Sequence, residues 1–211
     1  AITLASVISK HPFRLRVGVI DRLIRAQDEL QSQFPDLRLA VFDAWRPISV
    51  QAFMIEHSIS EECRKREVTR DEAVNSAEVN QIIEKVSRFW AHPSLDPLTP
   101  PPHSTGAAID LTLADLEGNT LEMGGAIDAL GPISHPDYYL QLCKVDPIPE
   151  HLLWKSRRFS LAEALVKAGF SQHPDEWWHF SYGDQLWAWQ TNASEAIYGA
   201  WHASDSRSKT V

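Results

Sequence analysis

His103 and Asp110 stand seven residues apart, the first closing a proline-rich stretch and the second inside the run Ile109-Asp110-Leu111-Thr112-Leu113. An imidazole nitrogen and a carboxylate oxygen are both suitable zinc ligands. Glu176-Trp177-Trp178-His179 offers the complement. A catalytic zinc centre needs three protein ligands, an open position for water, and a base that is not itself a ligand. His179 suits the third ligand position and Glu176 the base. Residues i and i+3 share a face on a helix but point to opposite sides of a regular strand. Glu176 must therefore lie in a bend after Pro174-Asp175 if the two side chains are to converge. Taken alone, each half also fits a plainer reading, a hydrogen-bonded buried histidine or an exposed glutamate beside an aromatic strand. Arg46 is a third element, set between a short apolar run and Pro47. A guanidinium held there can donate to an oxyanion or a carboxylate; an ion pair with Asp43 or a stack on Trp45 accounts for it equally well.

The elements that have to carry these groups are legible from apolar spacing. Val17 to Phe34 places Ile20, Leu23, Ile24 and Leu30 at helical intervals, and Pro35-Asp36 ends that helix. Leu39 to Phe42 reads as a buried strand delivering Asp43-Ala-Trp-Arg-Pro47 to a loop, and a second helix is expected over Ser49–His57. Thr69-Arg-Asp-Glu72 and Ser160-Leu-Ala-Glu163 have capping-box spacing and predict two helix starts. Val79, Ile82, Ile83, Val86, Phe89 and Trp90 form one stripe, read as core. Ala91 to Pro102 holds five prolines and is read as a stiff loop feeding a sheet. Ile109 to Leu113, a polar turn over 115–119, and Thr120 to Met123 predict a hairpin. Gly124 to Pro149 reads as a long surface loop, Gly169 as a helix stop, and Trp177 to Tyr182 as a strand. Within the predicted strand, Ala108, Asp110 and Thr112 share one face, with small neighbours that permit close approach. Interspersed strands and helices with a hairpin connection predict an α+β fold: one domain over residues 1–203, a central antiparallel sheet flanked by helices, and a tail at 204–211.

Composition narrows the partners. The chain has 211 residues, 44% of them hydrophobic, and 20 Lys+Arg against 28 Asp+Glu give a net charge of −8. Such an acidic balance excludes a nucleic-acid backbone as partner. Arg64-Lys65-Arg66, flanked by Glu61, Glu62 and Glu67, reads as a solvated mixed-charge face. No apolar run reaches membrane-span length and Ala1 to Lys10 lacks the pattern of a signal peptide, so no membrane partner and a cytoplasmic location are expected. The start at Ala1 leaves room for a processed leader. Two cysteines, Cys63 and Cys143, are too few for a disulfide framework or a thiolate zinc site, so any metal is held by imidazole and carboxylate. His57 lies in a charged helix end, His11, His92, His135 and His173 each precede proline, and His151 and His202 have no carboxylate or imidazole at ligand spacing, so all seven are read as surface or packing residues. Asn192-Ala-Ser194 matches a glycosylation acceptor, a pattern short enough to arise by chance.

Together, Asp43-Ala-Trp-Arg-Pro47, His103-Ser-Thr-Gly-Ala-Ala-Ile-Asp110-Leu-Thr, Met123-Gly-Gly-Ala-Ile-Asp128, Ser156-Arg-Arg158 and Glu176-Trp-Trp-His-Phe-Ser-Tyr-Gly183 resemble the VanX-like D-alanyl-D-alanine dipeptidases. These are zinc peptidases that share a fold with D-Ala-D-Ala carboxypeptidases and the hedgehog domain. The stretches occur in the family order from about Val17 to Trp201. The resemblance implies one Zn2+ per chain bound by His103, Asp110 and His179, with Glu176 as general base and Arg46 stabilising the transition state. Asp128 would recognise the free amino group of a small dipeptide substrate. The implied reaction is hydrolysis of D-Ala-D-Ala to two D-alanines. Pro101, Trp45 and Ile127 depart from the residues usual at those places (Ser, Tyr and Phe), which touches substrate positioning and leaves the zinc chemistry intact. Two alternatives stand beside this reading. One is a zinc D,D-carboxypeptidase or peptidoglycan endopeptidase acting on longer wall peptides. The other is a non-catalytic zinc-stabilised binding module, which would need neither Glu176 nor Arg46.

Overall fold

The structure is a computed structural model, and it describes residues 13–70 and 76–201. Helix α1 (Val17–Gln33) leads into strand β1 (Arg38–Asp43), followed by α2 (Ile48–Lys65) and α3 (Ala77–Ser87). A 3-10 turn at Pro102–Thr105 opens into β2 (Ala108–Ala114). Beyond it lie a 3-10 turn at Pro132–Ser134, α4 (Tyr138–Leu142), α5 (Pro149–Lys167), β3 (Ser171–Gln172), β4 (His179–Ser181) and α6 (Gln185–Thr191). The four strands form one sheet in the order β1-β2-β4-β3, and every neighbouring pair is antiparallel. The α+β architecture is the one expected. The expected tail at 204–211 lies outside the described residues, as do His11 and His202.

β2 is the spine of the sheet. All seven of its residues are buried, which is why Ile109, Leu111 and Leu113 can alternate with Asp110 and Thr112 without a solvent face. The odd-numbered set joins Val19, Ala26 and Leu30 of α1, Leu161, Ala164 and Leu165 of α5, and Trp177, Trp178 and Phe180 in one apolar core. α1 and α5 pack on each other. The face α1 turns inward keeps Leu30 and Leu23 of the expected stripe but replaces its two isoleucines. Val19 and Ala26 are fully buried whereas Ile20 and Ile24 are 43% and 57% exposed. Small side chains at the contact let the two helix backbones approach closely. The expected stripe on α3 is core: Val79, Ile82, Val86 and Trp90 pack on Ile59 and Cys63 of α2 in a second cluster. Glu62, between Lys65 at 3.1 Å and Lys85 at 2.7 Å, ties the two helices together.

Several boundaries differ from expectation for local reasons. α2 runs on to Lys65. The Thr69 capping box starts no helix at Thr69 or Arg70, and its Glu72 lies outside the described residues; α3 begins at Ala77, where Ser76 Oγ accepts from the Val79 amide at 3.3 Å. Ser160 is not a helix start: α5 begins eleven residues earlier with Pro149 in its first turn, a position where the missing N–H costs nothing. The Ser160 hydroxyl instead donates to the Ser156 carbonyl at 3.0 Å, the back-bonding available to any mid-helix serine. The hairpin turn forms, with Asp115 N donating to Asn119 O at 3.0 Å, but its return arm is a single bridge, Ala114 to Thr120. The Gly124–Pro149 stretch includes α4 and a 3-10 turn. Gly169 stops α5 with φ +98°, as expected, and the aromatic strand is confined to His179–Ser181.

Candidate active site

A bulge places the first polar groups. β1 pairs with β2 in register up to Val41–Leu111, then skips Phe42 so that Asp43 stands opposite Asp110. On the other side of β2, Asp110 pairs with His179. Asp43, Asp110 and His179 thus form one rung across three strands. An extra residue in one strand re-aims the side chains after it, and here it leaves Phe42 55% exposed. His103 reaches the rung from the 3-10 turn, where Gly106 at φ +71° turns the chain into β2. A Cβ at Gly106 would lie 2.9 Å from the Trp201 ring.

His103, Asp110 and His179 are all buried, and one donor atom from each lies within 4.8 Å of the others. His103 Nε2 is 3.2 Å from His179 Nδ1 and 3.3 Å from Asp110 Oδ2, and His179 Nδ1 is 3.1 Å from Asp110 Oδ1. A tetrahedral zinc with bonds of about 2.0–2.1 Å holds its donor atoms roughly 3.3 Å apart. The outer ring nitrogens explain the arrangement. His103 Nδ1 donates to the Ala44 carbonyl at 2.7 Å, an atom that only accepts, so in the neutral ring Nε2 carries the lone pair. His179 Nε2 meets the Ser181 hydroxyl at 3.3 Å, which leaves Nδ1 for the interior. Asp110 Oδ1 is buried with no hydrogen-bond partner. Lone pairs converging on one point away from water are repulsive until a cation sits among them, so this donor set fits a zinc ion.

The same point favours positive charge when the rings carry it as protons. Burial alone raises the Asp110 pKa, yet the adjacent His103 and His179 hold it far below the usual carboxylate range. Glu176 lies in the bend that precedes β4, as convergence with His179 required, and its Oε2 is 3.5 Å from His179 Nδ1. Burial, then the charges of Asp110 and Asp128, push its carboxyl well above the usual range.

Arg46 is 4% exposed and held on three sides. Its Nε donates to Asp43 Oδ2 at 2.9 Å, Nη2 to the same oxygen at 2.5 Å, and Nη1 to Gln51 Oε1 at 2.7 Å. Trp90 lies beneath the guanidinium at 5.0 Å, while Trp45 carries Arg14 at 5.7 Å. The Asp43 ion pair and a place beside the metal ligands are therefore compatible, not rival, readings of Arg46. Three of the five N–H groups of a guanidinium are committed to Asp43 and Gln51, which leaves one on each terminal nitrogen. Asp128 lines the same pocket from a left-handed backbone, φ +64°, a strained state for a non-glycine residue that local sites often exploit. Burial, then Asp110, raises its pKa to about 6.

The pocket brings together all six residues singled out from the sequence, Arg46, His103, Asp110, Asp128, Glu176 and His179, along with Gln51, Trp90 and His173. His173, read as a surface or packing residue, packs its ring on that of His179 at 5.3 Å and so lines the pocket as well. β3 folds back on β4, the His173 amide donates to His179 O at 2.9 Å, and the imidazole Nδ1 accepts from Asp175 N at 3.2 Å while standing 4.0 Å from Glu176 Oε2. Burial, then His179, lowers its pKa to about 3, so it is a neutral ring at the edge of the site.

Comparison with known proteins decides the family. A family model described as D-Ala-D-Ala dipeptidase, a peptidase family, matches residues 4–197. The chain belongs to the D-Ala-D-Ala dipeptidase family. Among its relatives, a D-alanyl-D-alanine dipeptidase of Synechocystis is 44% identical over 188 residues, covering 87% of this chain and 74% of the relative. A D-alanyl-D-alanine dipeptidase of Escherichia coli is 28% identical over 149 residues, 71% of this chain and 57% of the relative. A solved structure of VanYB in complex with D-alanine-D-alanine aligns with a TM-score of 0.49 and 14% identity, over 87% of this chain and 80% of that one. Membership makes this dipeptidase-family chain an enzyme, a metallopeptidase, and sets aside the reading as a non-catalytic module. No helix among its described residues is long and apolar enough to cross a membrane.

Proposed function

We propose that the protein hydrolyses D-alanyl-D-alanine, with one zinc ion per chain held by His103, Asp110 and His179. The observation that carries this reading is the convergence of that buried donor set with a carboxylate and a guanidinium that are not part of it. A zinc ion in such a site acidifies water from a pKa of about 16 towards 7 and polarises a carbonyl oxygen.

The chain's own residues supply the rest. Glu176 takes the proton of the attacking water and passes it to the leaving amine, a task for a carboxylate whose pKa lies above its ordinary value; a cation among the neighbouring ligands pulls that pKa back down. Arg46, whose Nη2 also lies 3.7 Å from Asp110 Oδ2, donates, through the N–H groups that make no hydrogen bond, to the oxygen on which negative charge develops. Asp43, Gln51 and Trp90 hold the guanidinium in place beforehand, so it need not reorganise as that charge forms. Arg46→Lys keeps a charge but cannot keep the fork held by Asp43 and Gln51. It is expected to lower kcat by about 10²–10³ with zinc content unchanged, measured by steady-state kinetics alongside metal analysis.

Asp128 gives the pocket an anion for the substrate ammonium. A site closed on that side accepts a free dipeptide and excludes a longer chain, which distinguishes a dipeptidase from a carboxypeptidase. The test is D-alanine release from D-Ala-D-Ala, N-acetyl-D-Ala-D-Ala and an N-blocked longer peptide. Free D-Ala-D-Ala is expected to be the preferred substrate, and Asp128→Asn to raise its KM roughly tenfold or more, the loss of one charge-assisted contact. Equal turnover of the N-blocked peptide by the parent enzyme overturns the assignment of Asp128 and favours a D,D-carboxypeptidase.

A further inference from the structure

Arg158, on α5, is 3% exposed, and among the described residues no carboxylate forms a salt bridge with it. Its hydrogen bonds go to main-chain carbonyls: Nε to Met123 O at 2.8 Å, and Nη1 to Ile133 O at 2.9 Å and His135 O at 3.3 Å. Tyr139 and Trp177 enclose the guanidinium at 4.7 and 4.9 Å. A buried charge left without a counter-charge is costly, and burial lowers this one's pKa to about 10. What the guanidinium holds is the two ends of one segment. Met123 and Ile133–His135 bracket the loop whose middle carries Asp128 into the pocket.

The loop's fit to that guanidinium is close. A Cβ at Gly125 would stand 3.1 Å from Arg158 Nη2 and 3.0 Å from Ile133 Cγ1. The Tyr139 hydroxyl donates to Gly124 O, and Ser134 O accepts from Trp177 N at 2.8 Å. The last bond fastens the end of the loop to the residue after Glu176. A fork with fixed donor directions can hold two loop ends at a set separation; an ammonium, a point charge on a flexible stem, cannot.

We propose that Arg158 is a positioning residue for substrate recognition, fixing the 123–135 loop so that Asp128 meets the substrate ammonium at the distance the zinc site requires. The inference rests on the reading of Asp128 given above. Arg158 does not touch the reacting atoms, so its effect falls on KM and runs through Asp128.

The test is a double-mutant cycle on the zinc-loaded enzyme, with Arg158→Lys, Asp128→Asn and the pair, using D-Ala-D-Ala as substrate. Arg158→Lys is expected to raise KM roughly 3- to 10-fold with kcat within about twofold and zinc content unchanged. In the pair, KM is expected to be no higher than in Asp128→Asn alone, because the loop then has no anion to position. Gly125→Ala, which pushes the loop away from the guanidinium while leaving Arg158 in place, is expected to give the same KM-selective loss should Arg158→Lys fold poorly. An unchanged KM in both Arg158→Lys and Gly125→Ala overturns the inference, as do independent, multiplying KM increases in the pair. A KM unmoved by Asp128→Asn alone overturns the reading of Asp128 itself and is distinguishable from either.

Discussion

Glu176→Ala is expected to yield a folded, zinc-loaded protein whose turnover of D-Ala-D-Ala falls by about 10²–10⁴. The expectation follows from where the carboxylate sits. Its Oε2 is 3.5 Å from His179 Nδ1, close enough to reach a water that an ion held there would bind, while the candidate donor set itself comes from His103, Asp110 and His179. With the roles proposed above, removing Glu176 takes away the proton acceptor and leaves all three proposed metal ligands. Nor does the fold depend on it. The group is 7% exposed and crowded by Asp110 and Asp128, which together with burial raise its pKa, and deleting a buried, repelled carboxylate relieves the structure of that cost. Compared metal-free, the alanine variant should thus melt at or above the parent temperature. Because the interaction is made only in the transition state, kcat and kcat/KM should fall together. Metal analysis, thermal denaturation and steady-state kinetics on one preparation check all three statements. Turnover near the parent rate in a zinc-replete sample would sink the assignment.

How much of this site was legible depended on whether local pattern or cross-strand pairing set each position. Asp110 could be read, because alternation along Ile109-Asp110-Leu111 puts a lone carboxylate among buried apolar residues whatever the partners are. The bend at Glu176 could be inferred too, since a regular strand forbids convergence with His179. The rung that aligns Asp43, Asp110 and His179 could not, because it depends on the skip at Phe42, and a bulge leaves no mark in the periodicity. His173 was missed for a related reason. β3 is two residues long, too short for any pattern, yet its pairing with β4 folds His173 back beside His179. The available signal was the spacing itself: two short polar-aromatic segments either side of Pro174-Asp175 form a hairpin, and the turn of that hairpin holds Glu176. Gln51 illustrates a third case. Four residues past Pro47, it sits in the first turn of α2, which points back at Arg46, but only the fold shows that its amide spans Arg46 and Ala91 O, at 2.7 Å each. Helix faces failed where size outweighed hydrophobicity, as with Val19 and Ala26 against Ile20 and Ile24. A helix start failed where the serine of an apparent box found a carbonyl within its own helix, as with Ser160.

His179→Ala is expected to abolish both turnover and stoichiometric zinc, and chelation of the parent enzyme should reproduce the first effect reversibly. The argument concerns stability as much as catalysis. In the folded chain, His103 Nε2, His179 Nδ1 and both Asp110 oxygens face one another within 3.1–3.3 Å for each contacting pair, 5%, 5% and 2% exposed as residues. The outer nitrogens are already engaged by Ala44 O and the Ser181 hydroxyl, so the rings present lone pairs inward unless they take up extra protons. A zinc ion held as proposed would have no equivalent site in the unfolded chain, so it would add RT ln(1 + [L]/Kd) to stability, about 2.7 kcal/mol at a hundredfold excess over Kd. For a chain of this length that corresponds to a rise in Tm of roughly 5–11 °C. The parent enzyme should show that rise when zinc is returned to a chelated sample, with activity recovering in proportion to bound metal. His179→Ala lacks one of the three donors and exposes Asp110 to an empty space, so added zinc should move its Tm little and restore no activity. A His179→Ala protein that still holds one zinc per chain and melts higher with it would show that the ion sits elsewhere.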